Sequence, residues 1–486
     1  MSVNMSKMFI LGGGVTGLAS AYHLSKNSDR EVVLFEAEHE MQGLVRNFGG
    51  DGWVLEYGPH NVHTQNRRVM AFLKEIFGER LKERNIKTLL FIFGKKVKYP
   101  LKGLDVLLVL KPWQMIVAGM DFLYTRIRAF LFGVKPTAHF DEWIGRRYGD
   151  VLLKIYFAPY VEKVWKMDPH DLSSYVGEKR IPTLSLRQLL YKQLNIKSNY
   201  NPHPEDVANV HSYMPVGGSG KITEYFKTQA EAAGCRLHTD SDVERIVLRV
   251  GRVVQLEIRN RKSNLLELHE VGPDDIVIST IPINKLLFKI SDLPAEVMKS
   301  AEGLDYTCLV MLHVRLRQQS VFDKSWVYFS NPDIVFNRIS EYSYDDLKMV
   351  PSGCCSLCVE IPCRYGDELW NMPQDELFAL VMRQLAPHAN IDPEGIVGFS
   401  REEVRYAYPK FSVGFQKRLL TIKKYLLLET NIVSLGRQGL FCYSNIDQCI
   451  DMAFNMADVI IKEPNNAKYI YQEMFMYYHQ TPQVLI

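Results

Sequence analysis

The stretch "MFILGGGVTGLASAYHL", Met8 to Leu24, decides the fold. A short apolar run enters three glycines, Gly12, Gly14 and Gly17, in the spacing GxGxxG, and leaves them as a helical pattern. Each glycine has a separate job. Gly12 permits the tight strand-to-helix turn, Gly14 lets backbone approach a diphosphate, and Gly17 lets helix and strand pack closely. The helix N-terminus, carrying partial positive charge, then faces the phosphates. A lone GxGxxG is weak evidence. Here a second strand, "EVVLFEA", ends in Glu36, at the distance where an acid accepts the ribose hydroxyls. That carboxylate would repel a 2′-phosphate, so an FAD or NAD type of cofactor is expected rather than NADP.

Working outward, the chain has 486 residues, enough for two domains or one large interleaved pair. It is 47% hydrophobic and 23% charged, the balance of an ordinary globular protein. A net charge of +3, with acids nearly matching bases, gives no reason to expect nucleic acid. The opening residues lack a signal-peptide pattern, and the eight cysteines show no disulfide-framework spacing, so a reducing, cytoplasmic setting is expected. Cys354, Cys355, Cys358 and Cys363 in "CCSLCVEIPC" read as a buried strand, not a metal centre, because no histidine or second cysteine pair stands at ligand distance. The apolar block Leu104 to Gly133 is broken by Asp105, Lys111, Asp121, Arg126 and Arg128, so packed helices are expected there, with membrane contact a minor alternative.

"PVGGSGKITEYF", Pro215 to Phe226, has the outline of a nucleotide P-loop. It fails that test, since Pro215 takes the first glycine position and Ile222 stands where a magnesium-binding hydroxyl is needed. Helical patterns dominate from about Arg67 to Lys197, α/β character returns near Tyr213, and a strand-rich stretch follows from Leu309. The expectation is an α/β (α+β) protein. A discontinuous Rossmann-type domain takes 1–70, 205–285 and 425–486, a helical cap 71–204, and a mixed-sheet substrate region 286–424.

Beyond Glu36, "EHEMQGLVRNFGGDGWVLEYGPH" supplies Gly43, Arg46 and an aromatic-glycine hairpin. This resembles the second glycine motif of the two-dinucleotide-binding-domain flavoproteins, with Gln42 in place of the usual first glycine, and it implies FAD. "GPHNVHT", "FDEWIGRRYG", "FAPYVEKVWKMDP", "VGEKRIP", "WVYFSNPDIVFNRISEY", "YAYPKF" and "GRQGLFCYSNIDQ" follow in an order that resembles the UDP-galactopyranose mutases, and in places the protoporphyrinogen oxidases of the amine oxidase superfamily. The resemblance implies His60 beside the flavin, with His63 less firmly matched. It implies Arg338 and Arg180 as cations for a departing diphosphate, Lys179 being the alternative to Arg180. Tyr328, Tyr408 and Tyr443 would donate to diphosphate oxygens, Trp165 would line the uridine end, and Gly436 and Arg437 would close the cofactor site. No metal is implied. The activity implied is isomerisation of a nucleotide-linked sugar by flavin that an external reductant has first reduced. An oxidase acting on an amine or apolar macrocycle is the rival, and a non-catalytic flavin-fold scaffold the third reading. Cys442, where bacterial mutases carry an arginine, and "STIPIN" both depart from the bacterial mutase pattern, and "STIPIN" resembles the oxidase branch or the eukaryotic mutases instead.

Overall fold

The computed structural model describes residues 6–64, 66–98, 109–181, 211–343, 347–463, 469–470 and 473. Its N-terminal strand β1 (Lys7–Leu11) runs into helix α1 (Val15–Asn27) and returns as β2 (Glu31–Phe35). β1 lies in the middle of a five-stranded parallel sheet, between β2 and the strand Ile276–Ser279, with Arg236–His238 and Ile432–Ser434 at the edges. Alternation along β1 explains why it is apolar at every position from Met8. Met8 and Ile10 enter one hydrophobic core, Phe9 and Leu11 another. The first core is closed by α1 and the helices Gly220–Ala232 and Ile446–Lys462, through Leu18, Phe226 and Phe454. The second is closed by Phe140–Tyr148 and Phe415–Glu429, through Trp143 and Phe415.

A seven-stranded sheet forms the other half, in the order Ile396–Lys410, Asp305–Leu316, Cys355–Cys363, Arg338–Ser343, Trp326–Phe329, Thr88–Ile92, Lys95–Lys98. Every residue of Cys355–Cys363 is buried, which accounts for the run of cysteines: small, apolar thiols packed in a central strand. Two differences from the sequence reading stand out. The strands Leu81–Arg84, Thr88–Ile92 and Lys95–Lys98 lie in a region expected to be helical, and Thr88–Ile92 adds in parallel to Trp326–Phe329, so the early chain completes the later sheet. Pairing with a distant edge overrode a local pattern that favoured helix. The second difference lies in the Leu104–Gly133 block. Its described part is one helix, Pro112–Phe132, that buries Ala118 and Thr125 and leaves most of its large apolar side chains in solvent. No helix among the described residues is long and apolar enough to cross a membrane.

Candidate functional site

Gly12 turns the chain at φ +106° while its N–H bonds the Phe35 carbonyl at 2.8 Å. A side chain on Gly17 would place its first carbon 1.9 Å from the Gly12 carbonyl oxygen, so helix and loop can meet only without one. Gly14 differs: a carbon there meets nothing nearer than the Gly43 Cα, at 3.8 Å. The space over Gly14 is therefore open, and α1 begins with neither a side-chain cap nor an acid in its first turn. Its N–H groups and dipole are left for an anion. Gly43, at φ +58°, is the matching bare backbone from the second motif, and Arg46 Nε bonds its carbonyl at 3.2 Å. Gly436, at φ +75°, brings a third, C-terminal piece against Thr16 of α1. Glu36 stands at the end of β2, its two carboxylate oxygens accepting from the Gly13 N–H at 2.6 Å and the Glu38 N–H at 2.9 Å. It thereby steadies the loop from the position expected of a ribose acceptor. This open glycine cradle, built from three stretches of chain, fits an FAD diphosphate.

A second cluster forms where "YGPH" meets the seven-stranded sheet. Gly58, at φ +82°, lies so close that an added carbon would sit 3.0 Å from Glu360 Oε1 and 3.8 Å from Arg338 Nη2. Arg338 grips that same oxygen through Nε at 2.7 Å and Nη2 at 2.6 Å, and its Nη1 lies 3.4 Å from the Tyr328 hydroxyl. Desolvation would drive the guanidinium toward neutrality, but Glu360 and Tyr328 outweigh it and keep Arg338 charged. On the other side, the Arg437 guanidinium lies 4.4 Å from the Tyr443 ring centre and 5.1 Å from that of Tyr408, which are stacked 5.4 Å apart. Arg437 also donates to the carbonyls of Ser444 and Ala407, while its buried Nε has no partner. His60 is between the two arginines electrostatically. Burial, then Arg437, then Arg338 lower its pKa to about 3, against a raising backbone bond to Gly58. It is therefore neutral near pH 7, and its Nδ1 is buried without a hydrogen-bond partner.

The structure thus brings His60, Tyr328, Arg338, Tyr408, Arg437 and Tyr443 together. Trp165 goes elsewhere, into the second core, its ring 6.5 Å from Phe411. His63 accepts or donates at Ser212 Oγ, 2.6 Å away, in a small sheet and has a structural role. Arg180 ends the helix Ser174–Arg180 and its side chain lies outside the described residues, while Lys179 stacks over Tyr175 at 5.8 Å. The P-loop look-alike is occupied by protein: the Ser219 N–H bonds Glu56 at 2.6 Å and the Gly220 N–H bonds Asn47 at 3.0 Å.

Sequence reasoning passed over Glu360, the carboxylate that orients Arg338. Its signal was an acid inside the otherwise apolar "SLCVEIPC". It also passed over the aromatic cleft beside Tyr328, lined by Leu90, Tyr156, Tyr160, Trp326 and Ser330. That cleft joins two distant strands and a helix, and no local pattern announces it.

The family model for flavin containing amine oxidoreductase matches residues 15–414. Coproporphyrinogen III oxidase of Bacillus subtilis (strain 168) is 24% identical over 185 residues, which cover 36% of this chain and only 39% of that protein. Among solved structures, reduced UDP-galactopyranose mutase superposes with a TM-score of 0.77 at 19% identity, covering 97% of this chain and 99% of the other. A redesigned putrescine oxidase gives 0.63 at 16% identity, covering 94% and 100%. These likenesses describe a shared fold. Because the match runs from residue 15 to residue 414, most of the chain, and takes in Gly17 beside the open cradle as well as Arg338 and its partner Glu360, the chain belongs to the flavin-containing amine oxidoreductase family as an FAD-dependent flavoenzyme.

Proposed function

We propose that the enzyme transforms a small anionic substrate, a nucleotide-linked sugar, in a mutase-type isomerisation. The observation that carries this reading is the gathering of Arg338, Arg437 and three tyrosines around a neutral His60. Bound FAD, once reduced by an external donor, supplies an electron-rich centre to such a reaction. The chain's own residues do the rest. Glu360 fixes Arg338 by Nε and Nη2, which leaves the Nη1 edge to meet a diphosphate oxygen alongside the Tyr328 hydroxyl. The unpartnered Nε of Arg437 is a second donor. Stacked Tyr408 and Tyr443 exclude water, and burial raises the Tyr408 hydroxyl's pKa, so it remains a donor. His60, held neutral by burial and the two arginines, would offer its unpartnered Nδ1 as a hydrogen-bonding group without gaining a charge. Arg180 or Lys179 is the proposed second catalytic cation, while Trp165, packed in the second core, is left out of the proposed site. The division into a discontinuous FAD domain, a cap region and a mixed-sheet substrate region belongs to the same proposal. Eight buried free cysteines suit a reducing, cytoplasmic setting.

One observation favours an oxidase instead: the cleft at Tyr328 is aromatic, with Tyr156, Tyr160 and Trp326 around it, and would accept an apolar ring. Dithionite-reduced, FAD-loaded enzyme incubated anaerobically with UDP-hexoses tests the proposal. Interconversion of pyranose and furanose forms on chromatography supports it. No conversion of any UDP-sugar, together with oxygen consumption on a porphyrinogen or an amine, overturns it in favour of the oxidase.

A further inference from the structure

The Pro112–Phe132 helix is amphipathic in the inverse of the usual sense. Ala118 and Thr125 are its buried side chains, and they lie on one side. At about 100° per residue, Trp113, Ile116, Met120, Tyr124, Ile127 and Phe130 fall within an arc of about 120° on the opposite side. All six are exposed, Phe130 at 85%, Tyr124 at 64% and Trp113 at 62%. A contiguous apolar face of this kind marks a partner surface.

Charge selects the partner. The exposed charged residues between 111 and 135 are Lys111, Arg128 and Lys135, every one basic. The single acid, Asp121, is turned inward, where its carboxylate accepts the Val151 N–H at 2.8 Å. A second copy of the chain docking on this face would set basic residue against basic residue. An anionic bilayer surface complements it. Aromatic and aliphatic side chains would enter the acyl boundary, while Arg128 and the flanking lysines reach headgroup phosphates. Charged Asp121, Arg126 and Arg128 within the helix fit a position along the interface and not across the bilayer.

We propose that this helix docks the enzyme, lying flat, on an anionic lipid surface. The experiment is co-flotation of the FAD-loaded full chain with phosphatidylcholine vesicles, with and without phosphatidylglycerol, at low and high salt. Binding to the anionic vesicles, weakened by salt, is expected. The triple variant Ile116→Gln, Met120→Gln, Ile127→Gln should lose more than about tenfold in affinity. Arg128→Gln should lose roughly fivefold. Both should keep the flavin spectrum and the thermal transition of the parent protein, which separates lost docking from lost folding. Equal recovery of parent and triple variant from the vesicles overturns the proposal. So does a concentration-dependent dimer that ignores vesicles and that the triple variant dissolves, because the face would then belong to a second copy. If the triple variant does not fold, Arg128→Gln and the salt series carry the test alone, and indifference to both overturns it.

Discussion

Four positions show how single residues divide folding from function. At Gly17 an added carbon collides with backbone at 1.9 Å, whereas at Gly14 the nearest atom is 3.8 Å away. Gly17→Ala should therefore destabilise even the flavin-free protein, by roughly 1–3 kcal/mol of overpacking. Gly14→Ala should leave its denaturation midpoint unchanged while lowering flavin occupancy, read from the visible absorption band. Arg338 needs a different substitution. Removing its charge strands a buried Glu360, so alanine would confuse binding with folding. Arg338→Lys keeps the charge and loses the fork; UDP affinity measured by calorimetry should fall by about 1–3 kcal/mol, with little change in melting. The fourth position is His313, buried with Nε2 unpartnered and lowered by desolvation to about 3. Its ordinary value is 6.5, so between pH 6.5 and 3 the unfolded chain holds a proton that the folded one lacks, and stability falls as pH falls. Asp447, raised by burial to about 6, acts with the opposite sign, so the diagnostic is a difference. Denaturant unfolding of wild type and His313→Leu from pH 6 to 4 should show the variant gaining about 1.4 kcal/mol per pH unit relative to wild type.

At the scale of elements, the joint between hairpin and helix matters more than either part. The strands β3 (Asn47–Gly50) and β4 (Trp53–Glu56) form a hairpin, and Glu56 at its end is fully buried. Its carboxylate accepts from the Ser219 N–H at 2.6 Å, the Ser219 hydroxyl at 2.5 Å and the Tyr342 hydroxyl at 3.0 Å. One acid thus ties the second glycine motif to the start of the Gly220–Ala232 helix and to the seven-stranded sheet. Desolvation raises its pKa while these three donors pull it back. Glu56→Ala leaves three buried donors unsatisfied and should cost roughly 3 kcal/mol or more. Urea unfolding checks the size, and reduced flavin retention checks that the hairpin has shifted. The resemblance to a P-loop in this helix start was therefore a matter of glycine content. Gly218 and Gly220 are bare because Asn47 and Glu56 press on them, not because phosphate does.

For the whole molecule, the glycine cradle proposed for the cofactor gathers Gly14, Gly43 and Gly436 from three stretches of the chain. A ligand that touches all three pieces only when they are folded should stabilise the entire chain. Flavin-free protein given FAD at a hundredfold excess over its Kd should gain about 2.7 kcal/mol, seen as a raised thermal midpoint, and ADP should give a smaller shift.

Legible in the sequence was whatever a short spacing enforces: the strand, three glycines and helix of residues 8–24, the acid at Glu36, and the burial of the cysteine-rich strand. These depend on backbone room and on periodicity, which neighbours in sequence decide. The tertiary structure alone decided that Thr88–Ile92 would close a sheet begun more than two hundred residues later, that Arg338 would be harnessed by Glu360, and that the Pro112–Phe132 helix would turn its apolar side outward. Each of those outcomes is a choice of partner made across the chain, set by which surfaces remain uncovered after the cores have filled, and no local pattern encodes it.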